Sequence, residues 1–304
     1  MAADGAGSLA SSILARNFTT MPNPSSNSDI IIRDLTTIDK LEAVLRLEKD
    51  VWGFEDADVT PLTLAVAMKA TGSIWLGAFN KDAMVGFAFA FPSLEEGKIG
   101  FHSHTLAVHP AFDNRGLGYQ LKLAQRDRAL ARSVAEITWT FDPLRGRNAH
   151  LNFAKLGVIS SSYRIDFYGA QTSSSLHTNG TDRLWVTWRL ADSRVEERIK
   201  GKSRRIETLD ALALLEPLVR FNGDGNPAEA DLRRALSRQR IAIEIPGDIG
   251  DIENSDIGRA RKWRLVTRRA FTEATNAGFT VTEFCRSIRG QQGPGAYLLE
   301  RLNQ

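Results

Sequence analysis

Hydrophobic and polar positions change period several times along the chain, and each change marks an element. Three isoleucines at residues 30–32 form a short apolar run, read as the first strand. Leu41, Val44, Leu45 and Glu48 follow at helical spacing and predict a helix ending near Trp52 and Gly53. Thr60 and Pro61 open a second helix, to about residue 71, with proline in the first turn. Apolar runs at 74–79 and 84–91 are separated by Asn80-Lys81-Asp82, which is hairpin punctuation, and 99–108 is the next strand. Leu117, Leu121, Ala124 and Ala131 line one side of a helix over 117–132. Residues 136–141 are almost continuously apolar or β-branched, as a buried strand requires. A short helix over 148–156 is closed by Gly157, and strands at 158–168 and 184–190 flank a polar hairpin loop at 171–181.

The order is β-α-α-β-β-β-α-β-α-β-β, which predicts an α/β fold with a central mixed sheet flanked by helices. From 191 to 205 charge replaces period, so 29–191 reads as one domain and 192–205 as a linker. Residues 206–304 predict a smaller α/β lobe: a helix at 209–218, a strand at 241–245, one long helix over 255–277 stopped by Gly278, and strands at 279–284 and 296–299. This β-α-β-β set either extends the first sheet or stands apart. Residues 1–28 are rich in Ala, Ser, Gly, Asn and Pro without period, and read as a disordered tail rather than a signal peptide. Met21 is a plausible alternative start, because ordered patterning begins only at Ile30.

Composition narrows the function without naming it. Across 304 residues, 42% are hydrophobic and 25% charged, ordinary for a globular protein. No apolar run nears the ~20 residues of a membrane span, so no membrane role is expected. Net charge is only +3, and the basic residues follow no recognition-helix or aromatic pattern, so nucleic acid is not the expected partner. The one cysteine, Cys285, permits neither an intrachain disulfide nor a multi-cysteine metal site; no metal is expected, and a reducing cytoplasm fits. Cys285 itself reads as a small residue packed in a late strand.

Candidate chemistry gathers between residues 101 and 132. The strand ends His102-Ser103-His104-Thr105-Leu106-Ala107-Val108-His109-Pro110, and Pro110 stops it because it has no donor for the ladder. Asp113-Asn114-Arg115-Gly116-Leu117-Gly118-Tyr119 then leads into the helix. Gly116 and Gly118 allow a tight turn and a close ligand approach, and the helix aims free N–H groups and its positive dipole end at that turn. Such a turn binds a diphosphate, with Arg115 adding a charge-assisted contact.

These residues resemble the GNAT superfamily of acyl-CoA N-acyltransferases, whose pyrophosphate loop reads Gln/Arg-x-x-Gly-x-Gly/Ala after a strand ending Val-x-Pro. Here Asp113 replaces the opening Gln/Arg, placing a negative charge near phosphate that Arg115 is expected to offset. The resemblance covers roughly 29–191. Residues 103–169 are similar to a less-studied subgroup with Ser-His-x-Leu-Ala-Val (103–108), Trp-Thr-Phe-Asp-Pro-Leu (139–144) and Asn-Ala-His-x-Asn (148–152) motifs and an extra C-terminal lobe. Some relatives of this kind look linked to N-succinyl-amino-acid metabolism, which makes succinyl-CoA a candidate donor beside acetyl-CoA.

The resemblance implies acyl transfer to a primary amine of a small molecule, an amino acid or similar. Alternatives are a protein N-acetyltransferase and a module that binds acyl-CoA without turnover. In the family fold the two central strands splay around pantetheine, so Leu106, Ala107 and Val108, with Asn114 to Tyr119, Asn148 and Asn152, are the implied CoA contacts; the Val108 N–H would face the thioester oxygen. His102 and His104, two residues apart, share a strand face with Leu106 and Val108 by strict alternation, and an imidazole relays a proton near neutral pH. Members of the family use two such histidines in this way. His109 points toward the loop and reads as a surface residue. The tyrosine many members use as general acid is Phe153 here, leaving Tyr163, Tyr168 or solvent. Asp142 is the candidate for the acceptor ammonium, with a turn before Pro143 as its other reading, and Asn148 is equally an N-cap. Arg145 and Arg147 are expected in a solvated loop, with a carboxylate or the CoA phosphates as the alternative, and Arg259, Arg261, Lys262, Arg264, Arg268 and Arg269 on a mostly solvated helix face, with an interdomain contact or an acidic acceptor as the alternatives. The lobe has no second glycine turn, so no second CoA site is expected. The oligomeric state is not legible.

Overall fold

A computed structural model describes residues 30–56, 58–170, 177–290 and 293–302. The tail at 1–28, its alternative start Met21 and part of the 171–181 loop lie outside the described residues.

The first half builds β1 (Ile30–Asp34), α1 (Ile38–Trp52), α2 (Leu62–Ala70), β2 (Ile74–Asn80), β3 (Ala83–Glu95), β4 (Lys98–Val108), α3 (Leu117–Leu130), β5 (Glu136–Phe141), α4 (Gly146–Ala149) continuing as a π-wound turn (His150–Leu156), β6 (Ile159–Arg164) and β7 (Arg183–Arg189). Gly53 closes α1 and Gly157 closes the π-wound segment, both left-handed, as the pattern predicted. The second half adds α5 (Ser193–Ile199), α6 (Arg205–Ala213), β8 (Val219–Phe221), β9 (Pro227–Glu229), α7 (Leu232–Leu236), β10 (Arg240–Ile245), α8 (Ile249–Ser255), α9 (Ile257–Asn276), β11 (Thr280–Cys285) and β12 (Gly295–Glu300).

Two expectations change. The stretch read as a linker holds α5, capped by Asp192, whose Arg194 and Arg198 reach across to Glu283 on β11. Its apolar signal is only Val195 and Ile199, too sparse to show a period. The long helix expected over 255–277 is α9, but the stretch before it, read without a helix, holds α8; Asp256 separates the two and caps α9 with its carboxylate on the Arg259 N–H.

All strands join one mixed sheet in the order β1-β2-β3-β4-β5-β7-β6-β11-β12-β10-β8-β9. The lobe therefore extends the first sheet through a single antiparallel register, Ser160 opposite Val281. The order β10-β12-β11 mirrors β5-β7-β6 across that seam, and β8 runs parallel to β10 as β4 does to β5. In the lobe the crossover from β9 to β10 holds only the five-residue α7, where the first half has the fourteen-residue α3.

Helices α1 and α2 cover one face of β1–β4 through Leu41, Val44, Leu47, Ala65, Phe87 and Phe89. Helices α3 and α9 and the π-wound turn pack on the other, where Leu121, Trp139, Phe153, Trp188, Trp263 and Phe271 form the main core. Helix α9 is not a merely solvated face. Arg264 is 3% exposed and grips Asp142 with two hydrogen bonds (2.8 and 2.7 Å) while its Nε donates to the Asn179 carbonyl. Arg268 pairs with Asp182 and Asp166. Tyr297 on β12 donates to the Pro143 carbonyl at 2.6 Å. The end of β5 is thus held by the second half of the chain.

Burial alone would raise the Asp142 carboxyl, but the charge and hydrogen bonds of Arg264 outweigh it and hold the group below its ordinary value. Its stabilising contribution is present above the ordinary carboxylate range and is lost as pH falls below it. Arg264→Ala strands a buried carboxylate and is expected to cost roughly 3–5 kcal/mol. Thermal melting checks this: a variant that melts like the wild type at neutral pH would show that the pair does not hold the seam.

Candidate active site

The site is built on the place where β4 and β5 part. They run parallel only through Phe101 opposite Ile137 and His102 opposite Thr138. Between β3 and β4 the register shifts: Ala90 faces Ser103, yet Phe89 faces Thr105, so β4 carries one extra residue, His104. A bulge of this kind bends its strand and turns later side chains over.

That bulge corrects the predicted faces. His102 and His104 do share a face: both rings lie against Phe91 (centroids 5.4 and 5.9 Å), and His104 also meets Phe89 at 6.2 Å. Leu106 and Val108 do not join them. They pack on the α3 side, and Ala107 instead belongs to the α1–α2 core. Strict alternation fails because the inserted residue shifts the phase by one.

Backbone donors follow from the same geometry. The His109 N–H bonds the Val85 carbonyl at 2.8 Å, and Val108 stands opposite Gly86. In an antiparallel ladder hydrogen-bonded and non-bonded pairs alternate. The Val108 and Leu106 amides therefore point out of the β3–β4 ladder, toward the side from which β5 has withdrawn. His109 itself is buried, contrary to expectation: it caps the turn after β4, its Nδ1 accepting the Ala111 N–H.

The glycine turn has the predicted form. Asn114 and Gly116 have φ of 59° and 74°, and α3 starts at Leu117, with its first bond from the Gln120 N–H to the Gly116 carbonyl. A Cβ at Gly116 would meet open space, and one at Gly118 only the Leu106 side chain at 3.4 Å. The N–H groups of Leu117, Gly118 and Tyr119 thus open toward an uncrowded surface. The Asp113 charge is answered by Arg147, which donates both guanidinium arms to it. Arg147 is therefore not simply solvated. Arg115 lies over the Phe112 ring at 5.4 Å. Asn148 is exposed inside α4, so it is not the N-cap, which is Arg145; Asn152 is buried and accepts the Trp139 indole N–H at 3.3 Å.

Two expected residues are engaged elsewhere. Asp142 is occupied by Arg264 and Arg145, which leaves it closed to an acceptor ammonium. Tyr163 stacks on Phe271 of α9 and donates to Asp182 at 2.7 Å; burial first, and the Asp182 charge second, push its phenol well above the ordinary value. It faces the lobe, not the histidines.

Several residues of the site carried no signal in the sequence. On the histidine face, the His102 Nδ1 lies 3.0 Å from the Thr138 hydroxyl, which donates to Glu95 at 2.8 Å. Thr138 then accepts from the Nδ1–H of neutral His102, leaving Nε2 as the free acceptor. Burial, then the charges of His104 and Lys122, lowers His102 to about 4, and burial lowers His104 although the residue keeps an exposed part; both are neutral at pH 7. Trp185 stands 4.8 Å from His102. Farther along β7, Arg183 is 9% exposed, lies over Tyr168 at 5.2 Å and gives a hydrogen bond to the neighbouring Asp182 carbonyl. Among the described residues no carboxylate forms an ion pair with it. Thr140, Trp185 and Thr187 on this face are half-buried, while Leu184, Val186 and Trp188 behind them are fully buried, so the face opens to solvent.

The loop between α1 and α2 approaches the same face and rests on Glu48, a 4%-exposed carboxyl that accepts the Thr60 N–H at 3.3 Å. Burial raises Glu48 to about 7. A raised carboxyl favours the folded state below the ordinary carboxylate pKa and loses that advantage as pH climbs through the folded value. Between pH 5 and 8 the wild type should therefore lose on the order of 2–3 kcal/mol that Glu48→Gln retains. Parallel denaturation curves for the two proteins over that range would remove Glu48 from this role.

Among the described residues no cluster of His, Cys, Asp and Glu is arranged to hold a metal ion, and no helix is long and apolar enough to cross a membrane.

No protein-family model matches this chain, and no curated protein does. Solved structures similar to it include the ribosomal-protein-S18-alanine N-acetyltransferase from Escherichia coli, at 18% identity and a TM-score of 0.43, covering 54% of this chain and 96% of that one. A GNAT family acetyltransferase from Elizabethkingia anophelis with acetyl-CoA bound is similar at 16% identity and a TM-score of 0.39, covering 53% and 98%. An aminoglycoside 6'-N-acetyltransferase complexed with coenzyme A is similar at 14% and 0.40, also covering 53% and 98%. Likeness at these levels assigns no activity to this chain.

Proposed function

We propose that this protein is an acyl-CoA-dependent N-acyltransferase of the GNAT type, and that its acceptor is a small primary amine bearing a carboxylate, such as an amino acid. The observation that carries the reading is the parting of β4 and β5 beside the glycine turn, which leaves the Leu106 and Val108 amides and the α3 N-terminal amides directed at one open groove. An acyl-CoA would bring a reactive thioester to that groove. The amides of Leu117, Gly118 and Tyr119 fit its diphosphate, and the Val108 N–H fits a developing oxyanion.

The other face of the sheet suits the acceptor. The Nε2 of His102 and the imidazole of His104 take the proton that the amine sheds, with Thr138 and Glu95 holding the His102 tautomer. Arg183 supports the carboxylate. It is a buried guanidinium with no ion-pair partner among the described residues, two β7 positions from Trp185, which touches His102. Burying an unpaired charge is costly, and an anionic substrate group would supply the missing partner. Acetyl and succinyl donors both suit this reading, because the groove residues named here contact the CoA portion.

The test is thiol release from acetyl-CoA and succinyl-CoA with amino acids and with matched amines lacking the carboxylate. Release is expected with amino acids. Arg183→Met should raise the acceptor KM by roughly 10–100-fold with little change for an uncharged amine, corresponding to a lost charge-assisted hydrogen bond of ~1.5–3 kcal/mol. Gly116→Glu should abolish CoA binding. CoA binding without release, unaltered by His104→Ala, would make the protein a binding module instead, and release only with a protein amine would replace the acceptor class.

A further inference from the structure

Lys122 is the most anomalous charged residue in the molecule. It lies on α3, is 4% exposed, and among the described residues no carboxylate pairs with it. Its Nζ donates to the Ser103 hydroxyl at 2.7 Å and sits 3.7 Å from the centre of the Trp139 ring. Ser103 and Trp139 are the first residues beyond the last β4–β5 register pair, His102 with Thr138. The ammonium therefore occupies the apex of the opening between the two strands.

Burying an ammonium costs several kcal/mol, and one hydroxyl with one aromatic face does not replace its hydration. A methionine would fill the same channel without that cost. The surroundings are also incompletely satisfied. Ser103 donates onward to the Gln125 Oε1 at 3.0 Å, but among the described residues the Gln125 Nε2, in a residue that is 0% exposed, has no partner. Two donors thus gather at the apex with no acceptor for the second.

We infer that Lys122 is the general acid that protonates the departing CoA thiolate, an inference that rests on the acyltransferase reading above. The position suits the reaction. An acyl-CoA gripped by the α3 amides and lying along the groove would bring its thioester toward this apex, between the histidines on one face and Lys122 on the other. The amine nitrogen attacks the thioester carbonyl carbon and forms the C–N bond. The C–S bond breaks, its electron pair goes to sulfur, and sulfur takes a proton from the Lys122 Nζ. The amine loses its excess protons to the histidines and solvent, and Lys122 regains its own from solvent. The sum is acyl-CoA plus an ammonium giving amide, free CoA thiol and one proton.

The remaining candidates do not fill this role. Phe153 has no proton to give and is fully buried, Tyr163 is committed to Asp182, and Tyr168 stacks on His177 with its hydroxyl at Thr140, on the face opposite α3. The titratable group whose charge state Lys122 influences is His102, across the strand; the neighbouring Gln125 on α3, Trp139 on β5 and Asn152 on the π-wound turn do not ionise. Burial lowers Lys122 to about 7. An acid in that range transfers its proton downhill to a thiolate whose conjugate thiol has a pKa near ~8.5. The same charge also helps keep His102 neutral.

The test compares wild type, Lys122→Met and Lys122→Arg in thiol release across pH, with CoA affinity measured separately. Lys122→Met should bind CoA as wild type does while kcat falls by roughly 10²–10⁴-fold. The decline of wild-type kcat above neutral pH should vanish in it. Lys122→Arg keeps a charge but surrenders no proton, so it should be equally slow. A measurement on wild type alone guards against variants that misfold: the thiol of bound CoA, followed by the ultraviolet absorbance of its thiolate, should titrate below that of free CoA. An unshifted thiol, or release that Lys122→Met leaves unchanged in kcat and pH profile, overturns the role of Lys122 only. No release from wild type with any donor and acceptor overturns the acyltransferase reading, and this inference with it.

Discussion

The early parting of β4 and β5 is the constraint on which the rest of the site depends. A parallel pair that continued past His102 and Thr138 would consume the Leu106 and Val108 amides in a ladder and close the groove. The bulge at His104 is what makes the parting useful. It leaves both imidazoles on the open face while turning the Leu106 and Val108 side chains toward α3. A single inserted residue thereby divides the side chains of β4 between the two faces of the sheet.

Parting strands need something else to hold them. On the β4 side this is β3, paired along the whole strand, with α1 and α2 behind it. On the β5 side it is the second half of the chain. Arg264 on Asp142 and Tyr297 on the Pro143 carbonyl anchor the turn that follows β5, and the continuous sheet transmits that anchoring through β7 and β6 to β11. The C-terminal lobe repeats the strand order of the first half across the seam, but with its crossover helix reduced to α7. Its clearest physical contribution is as a brace.

The charges divide accordingly. Arg264, Arg268 and Arg198 are buried or half-buried with carboxylates against them, and their work is to join elements far apart in sequence. Among the described residues Lys122 and Arg183 are buried without an ion-pair partner, on opposite faces of the same few strands. Burying a cation without a close counter-charge is costly, and in the proposed reading ligands complete both.

Much of this was legible in the sequence, because it depends on local chemistry. The element order, the stop at Pro110, the left-handed turn at Gly116, the α3 N-terminus and the closing glycines follow from period, proline and glycine, each acting within a few residues. The nearness of His102 and His104 followed from their spacing alone. What only the tertiary structure decided involves phase and distant partners. A bulge has no composition of its own, so alternation misplaced Leu106 and Val108. Asp142 looked available because Arg264 lies more than a hundred residues away, and His109 looked exposed because its burial comes from the whole fold around the turn. Lys122 drew no notice because a lysine within a helix is ordinarily solvated. Only the packing of α3 under the opening between β4 and β5 takes water away from it, and that loss of solvent makes it chemically distinctive.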